Sequence, residues 1–353
     1  MIYKGGKLYD EGEYGCVFTP PLLCKNEKKM LGELPENDEI EGAKLDKLLK
    51  KSEAEAEFAV SKYIQQIPLW KNYFIVSESM CEPAPKQTDS DIGECDIIQN
   101  KPLSQFRLLR MTFGGIPLSL YKTRVTEFPY IDIFKHMLEG VSLLTLFGIV
   151  HRDLHQGNIL IDDKQVPRII DFNLSLNTKN DIKVADMRHM YAVKPFQEPP
   201  DSTLLNAISL GKRPSFVIDD VINNKPILKR INSLLGISMM DMRKDLNDFY
   251  SNSVSAQTGD YLKWFKTYWR VIDSWAVGAN FVELATKMML WPEFAREWNG
   301  ISKQVVPILK KMCAINPIER IDCIQALAKL DPQNYIVRKY TTGWLDRVGR
   351  GGF

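Results

Sequence analysis

Two short stretches constrain this chain more than anything else in it. One is His151-Arg152-Asp153-Leu154-His155-Gln156-Gly157-Asn158. The other, thirteen residues after Asn158, is Asp171-Phe172-Asn173. Between them, 158–161 and 168–170 read as two short strands that turn at Asp162-Asp163-Lys164, so Asp171 follows a hairpin. Asp153 can orient a hydroxyl and accept its proton. Asn158 and Asp171 offer the hard oxygen ligands that suit magnesium on a nucleotide's phosphates. Phosphoryl transfer asks for little more, because its chemistry rests on in-line positioning and charge neutralisation.

The 353 residues are 44% hydrophobic and 25% charged, enough apolar mass for two cores or one bilobal domain. The formal net charge of +2 makes no global case for nucleic-acid or membrane binding. The longest apolar tract, 141–150, carries Ser142 and Thr145 and falls short of a membrane span. The first residues hold no signal-peptide core. Six scattered cysteines without a C-x-x-C pair make free thiols in a reducing compartment the default expectation. A zinc site or a disulfide among Cys24, Cys81 and Cys95 is the alternative.

Along the chain, Leu8-Tyr9-Asp10 and Cys16-Val17-Phe18 flank a glycine turn and predict a hairpin. Residues 25–41 read as an inserted polar loop. Residues 47–67 carry helix formers with helical apolar spacing up to Pro68, and 73–76 and 106–111 read as strands. After Gly114-Gly115 the texture turns helical. Phe134, Met137, Leu138, Val141 and Leu144 repeat at helical spacing before a capping Gly148, and 261–290 reads as one long helix.

With these motifs in hand, the chain resembles the eukaryotic-type protein kinases over about residues 8–330. The resemblance implies an α+β, bilobal protein-kinase fold. Its N-lobe would be a small antiparallel sheet with one main helix at 1–111. A larger helical C-lobe would span 112–335, with an insertion at about 203–260, and a basic Gly/Arg tail would follow at 336–353. It implies ATP and Mg2+ as cofactors. Asp153 would be the catalytic base, and Asn158 and Asp171 the metal ligands. Gly12, Gly15 and Val17 resemble the nucleotide-covering loop, with Asp10 in place of its first glycine. Lys44 best matches the lysine that grips the α- and β-phosphates, and Glu57 its partner on the following helix. Met111, Thr112 and Phe113 resemble gatekeeper and hinge, and Val17 and Leu160 would sandwich the adenine.

His155 stands where Ser/Thr kinases usually carry lysine, and its expected role is the γ-phosphate contact in its protonated form. Small-molecule kinases often read H-x-D-L-H-x-x-N, so this loop alone leaves the substrate class open. Asp273-Ser274-Trp275-Ala276-Val277-Gly278, Asn316-Pro317-Ile318-Glu319-Arg320 and Pro199-Pro200-Asp201 resemble large-lobe elements of protein kinases and favour a protein substrate. Asp201 and Arg320 are the expected buried ion pair. The loop lacks the arginine typical of tyrosine kinases, so Ser/Thr specificity is expected. Asn173 replaces the glycine of D-F-G, which keeps a pseudokinase scaffold as an alternative beside a small-molecule phosphotransferase. Asn tolerates the left-handed conformation, so loss of activity does not follow. In the segment 171–201, Ser175, Thr178 and Tyr191 are candidate phosphosites that Arg152 and Arg188 could receive; a segment ordered without phosphate is the alternative.

Gly12-Glu13-Tyr14-Gly15-Cys16-Val17-Phe18-Thr19-Pro20-Pro21-Leu22-Leu23-Cys24 resembles the opening of kinases encoded by large nucleocytoplasmic DNA viruses. That implies a viral or host protein substrate, action in the cytoplasm of an infected cell, and packaging in the virion as a further option. Oligomeric state stays open. Seventy-two residues separate Asp201 from Asp273, several times the family spacing. Apolar helical patches at Val217, Ile218, Val221 and Ile222 and again at Ile227, Leu228, Ile231, Leu234 and Leu235 predict a folded module there.

Overall fold

The computed structural model describes residues 6–12, 15–27, 44–87, 90–99 and 101–349. Most of the inserted loop read at 25–41, and Glu13, Tyr14 and residues 350–353, lie outside the described residues. The chain divides into two compact units, 1–115 with 170–173, and 116–169 with 174–353.

The first unit is a five-stranded antiparallel sheet in the order β1-β2-β3-β5-β4. Its strands are β1 (Lys7–Glu11), β2 (Gly15–Thr19), β3 (Lys44–Lys50), β4 (Ser79–Cys81) and β5 (Phe106–Thr112). Side chains alternate between its faces. Phe18, Leu48, Phe106 and Leu108 build one cluster with Leu22. On the other face Leu49 and Leu109 pack with Ala54, Phe58, Met80 and Met111. Ala54 and Phe58 belong to the helix Lys51–Ile64, which therefore covers the second face.

The helix read at 47–67 is shorter than expected, because its first residues are strand. Lys44-Leu45-Asp46-Lys47-Leu48-Leu49-Lys50 has no β-branched residue and favours helix by intrinsic propensity. Pairing with β2 on one side and β5 on the other satisfies its backbone and overrides that preference. Residues 73–76 also depart from expectation. Tyr73 closes a short helix, Trp70–Tyr73, and the strand forms at Ser79–Cys81.

The cysteines correct the free-thiol expectation. Cys16 is bonded to Cys95 and Cys24 to Cys81, so one bridge ties β2 to the segment between β4 and β5, and the other ties the segment after β2 to the last residue of β4. Cys313 and Cys323 are free and buried.

The second unit is helical. Tyr130–Phe147 buries Phe134, Met137, Leu138, Val141 and Leu144 and ends on Gly148 in the left-handed conformation, φ 76°. Ile272–Met288 is buried along nearly its whole length, and the Phe281 ring meets Phe134 at a tilt of 50° with ring centroids 4.7 Å apart. The long helix read at 261–290 is broken. Tyr261–Tyr268 and Ile272–Met288 are separated by a single 3-10 turn, Trp269–Val271. A small sheet in the order β6-β8-β9 joins Ile116–Pro117, Ile159–Ile161 and Pro167–Ile169, and Leu176–Asn177 (β10) pairs with Ile149–Val150 (β7).

Between Asp201 and Asp273 the chain forms Pro200–Ser209, Pro214–Asn224, Pro226–Leu235, Met239–Asn252 and Val254–Thr258. The first three start on proline at N1, where its missing N–H costs nothing. Val217, Val221, Leu228, Ile231, Leu246 and Phe249 are buried. The end of the chain is not a free tail up to residue 349. Tyr335–Tyr340 and Thr342–Gly349 are helices whose Ile336, Val337 and Trp344 are buried, and Trp344 Nε1 donates to Asp322 at 2.9 Å.

Candidate functional site

In the second unit, the loop 151–158 is held from beneath. Asp273 is buried and its carboxylate accepts the backbone N–H of His151 at 2.6 Å and of Arg152 at 2.9 Å. Burial pushes its carboxyl up, against those two bonds and the neighbouring His151. Arg152 takes a left-handed φ of 70°, a conformation that this clamp supports. Asn280 Nδ2 donates to Leu154 O at 2.8 Å. Asp273 of the motif at 273–278 and Asn280, two residues beyond it, thus shape the loop that carries Asp153.

Three side chains converge on the Asp153 carboxylate. Gln197 Nε2 donates to Oδ1 at 2.9 Å, and Asn158 Nδ2 donates to Oδ2 at 3.3 Å as well as to the Asp153 carbonyl at 2.9 Å. His155 turns Nε2 toward Oδ2 at 3.6 Å. Burial acts to raise the Asp153 carboxyl. The donors of His155 and Gln197, with the nearby His151, outweigh it and bring the pKa to about 2. The group is an ionised acceptor at any ordinary pH, suited to orienting a hydroxyl. Asn158 commits its amide nitrogen to Asp153, which leaves the amide oxygen as the atom available to a cation.

His155 differs from its expected form. Its Nδ1 accepts the Gly157 backbone N–H at 3.0 Å, so that nitrogen carries no proton. A Cβ on Gly157 would lie 2.8 Å from the His155 ring, so the glycine is what permits this packing. Both ring nitrogens thus face partners inside this loop, Gly157 at Nδ1 and Asp153 at Nε2.

In the first unit, Glu57 is met by Lys47, not by Lys44. Lys47 Nζ lies 2.9 Å and 3.1 Å from the two Glu57 oxygens and 3.9 Å from Asp171 Oδ1. Lys44 instead bonds Glu78 at 2.6 Å and the Thr112 hydroxyl at 3.3 Å. The physical reason is strand parity. Lys47 shares a face with Leu49, under the helix that carries Glu57, whereas Lys44 shares the opposite face with Asp46 and Leu48. Burial pushes the Glu57 carboxyl up, against the pull of Lys47.

Asp171 itself takes the left-handed conformation, φ 60°, and Asn173 is not among the residues of positive φ. The glycine of D-F-G is therefore not required here. Asn173 hydrogen-bonds Glu57 through its side chain, and Phe172 meets Phe74 edge to face at 5.9 Å. Gly15 answers to the sheet, because a Cβ there would come within 2.4 Å of Leu48 O. Gly12 is exposed and open to a ligand. Val17 pairs with Lys47 in register, Met111 packs in the helix-covered cluster, and Phe113 meets Tyr9 edge to face at 5.8 Å. Leu160 lies in β8 opposite Arg168.

The segment after Asn173 is held by backbone contacts. Arg152 donates to the carbonyls of Leu174 at 3.4 Å, Asp186 at 3.0 Å and Met187 at 2.8 Å. Arg188 donates to Ser209 O at 3.2 Å. The guanidiniums of both candidate phosphate-receiving arginines donate to backbone carbonyls. Asp201 and Arg320 form the expected pair at 2.7 Å, both side chains 0% exposed. Sequence reasoning missed Lys47, hidden in a misread helix, and Gln197, which no motif marks.

Residues 109–199 match the model of the protein kinase domain family. Over 114 residues the chain is 29% identical to the serine/threonine-protein kinase PSK1 of Saccharomyces cerevisiae, an overlap of 29% of this chain and 8% of that protein. Over 92 residues it is 33% identical to the mitogen-activated protein kinase kinase 9 of Arabidopsis thaliana, covering 26% of this chain and 30% of the relative. Mitogen-activated protein kinase kinase 7 of the same plant matches at 30% identity over 92 residues. The chain thus spans less than a third of the length of each relative. The matched stretch holds Asp153, Asn158 and Asp171. The fold is that of a protein kinase: an antiparallel-sheet unit with one main helix, then a helical unit.

Proposed function

We propose that this protein is a serine/threonine protein kinase that transfers the γ-phosphoryl group of ATP to a protein hydroxyl. The observation that carries the reading is the Asp153 carboxylate, ionised and oriented by the donors of Gln197 and Asn158 inside the stretch that matches the protein kinase domain. Similarity to a relative named as a serine/threonine-protein kinase supports the choice of acceptor.

Each residue then has a task. Asp153 accepts a hydrogen bond from the incoming hydroxyl and takes its proton as the bond to phosphorus forms. Asn158, through its amide oxygen, and Asp171, through its carboxylate, would hold Mg2+, and the donor chemistry fits that hard cation. Bound magnesium supplies charge neutralisation at the phosphates. Lys47, fixed by Glu57, binds phosphate oxygens in the role first read for Lys44. His155 flanks Asp153 through Nε2. Gly12 lets the backbone approach the nucleotide, while Val17, Met111, Thr112, Phe113 and Leu160 serve the adenine.

The opening at 12–24 also supports a source among large DNA viruses. Of the two locations that follow, the two disulfides favour the virion over a reducing cytosol. The deciding experiment measures transfer from radiolabelled ATP to generic protein substrates and to small-molecule acceptors, with Asp153→Asn as control. Labelled serine or threonine in protein, absent in the variant, is the expected result. Label confined to small molecules, or equal in the variant, sinks the reading.

A further inference from the structure

The backbone leading into Gln197 is gripped by the inserted helices. Lys225 stands at the junction of Pro214–Asn224 and Pro226–Leu235, yet its side chain turns inward and the residue is only 1% exposed. A lysine at such a junction ordinarily carries its charge to water along its own stem. This one does the reverse. An ammonium group has three N–H donors, and here each finds an acceptor: Pro195 O at 2.7 Å, Val193 O at 3.3 Å and Thr203 Oγ1 at 3.3 Å. Trp275 Nε1 donates to the intervening carbonyl, Phe196 O, at 3.0 Å. The carbonyls of residues 193, 195 and 196 are all fixed, and the next side chain is the one that meets Asp153 Oδ1 at 2.9 Å.

Charge balance agrees with this placement. Glu198 is held by His189 at 3.2 Å and by the hydroxyls of Ser202 and Thr203 at 3.0 and 3.1 Å, and its carboxylate attracts the Lys225 ammonium. A buried ammonium without such partners would be strongly unfavourable. The cation is therefore tied to this strip of backbone, and a chain that only needed two helices joined could have left the lysine in solvent.

We infer that Lys225 is a positioning residue for phosphoryl transfer, fixing residues 193–197 so that Gln197 sets the acceptor-facing oxygen of Asp153. The inserted helices are then part of the catalytic support, and they order this strip without a phosphate. The inference rests on the kinase reading and deepens it by giving the insertion a task.

The test uses the full chain with Lys225→Met, Lys225→Arg, Gln197→Leu and the double variant Lys225→Met/Gln197→Leu. Hydrogen–deuterium exchange needs no activity. In Lys225→Met the amides of residues 193, 194, 196 and 197 should exchange at least about tenfold faster while Ile272–Met288 keeps its protection. In transfer assays kcat should fall by roughly 10- to 100-fold with KM for ATP unchanged, as it should in Gln197→Leu. The double variant should be no worse than the worse single one, and Lys225→Arg should recover part of the loss. Unchanged exchange at 193–197 in Lys225→Met overturns the inference whatever the activity. Multiplicative losses in the double variant overturn the route through Gln197. A wild-type chain without transfer activity sinks the kinase reading instead, and exchange still decides whether Lys225 holds the strip. If Lys225→Met does not fold, Lys225→Gln, which removes the cation and keeps a polar side chain, carries the same measurements.

Discussion

Replacing Lys47 and Lys44 separately by methionine distinguishes two lysines that sit on the same strand. Lys47 and Glu57 are 17% and 10% exposed and 2.9 Å apart, with Asp171 3.9 Å away. Lys44 and Glu78 are 38% and 35% exposed. The exposed pair is worth about 0–1 kcal/mol, so Lys44→Met should change transfer by less than about fivefold. Lys47→Met removes a preorganised cation from a site where charge develops, an effect of about 3–4 kcal/mol on the barrier or roughly 10²–10³ in rate. It also leaves Glu57 buried without its cation, which costs up to about 3–5 kcal/mol of stability, less to the extent that Glu57 takes up a proton. The assay is phosphate transfer from radiolabelled ATP, beside thermal unfolding of the same samples. A hundredfold loss in Lys44→Met with Lys47→Met near wild type would refute the strand-parity argument and restore the original reading.

Other outcomes follow from the geometry. Asp153 falls to about 2 in the folded chain, below its ordinary 3.8, so the stability it contributes is present above about pH 4 and is lost as pH drops toward 2. With partial solvent screening that amounts to about 1–2 kcal/mol, and Asp153→Asn should flatten this part of a denaturant-unfolding series. Asp201→Asn leaves Arg320 buried without its counter-charge and should cost about 3–5 kcal/mol in chemical unfolding of the helical unit; a change below about 1 kcal/mol would contradict the pairing. Reducing the two bridges, which span 79 and 57 residues, should release about 4 kcal/mol of chain-entropy stabilisation apiece and lower the unfolding midpoint of the sheet unit. An unchanged midpoint with thiols proven free would show that the bridges do not support the sheet.

What could be read from sequence was local. Asp153, Asn158 and Asp171 sit in contiguous motifs whose spacing is set by one loop and one hairpin, so their candidacy could be read from order alone. Asp201 with Arg320 was legible because each belongs to a recognisable short element, although 119 residues separate them. Of the two bridges, Cys24–Cys81 lay within the alternative named for Cys24, Cys81 and Cys95, whereas nothing in the spacing says that Cys16 of β2 meets Cys95 after β4. Gln197 and Lys225 were invisible for the same reason: their partners lie 44 and about 30 residues away, in contacts that only folding creates. Lys47 is a different case, because its position was recoverable. Lys44–Lys50 looks helical by composition, and only its place between two neighbouring strands makes it a strand. Once it is a strand, period two applies. Leu45, Lys47 and Leu49 share one face, and Lys44, Asp46 and Leu48 share the other. The helix carrying Glu57 can cover only one of them. Three residues of sequence therefore decide between a lysine beside the phosphate-binding partner and one on the far side of the sheet, and parity selects between them where spacing from the glycines did not.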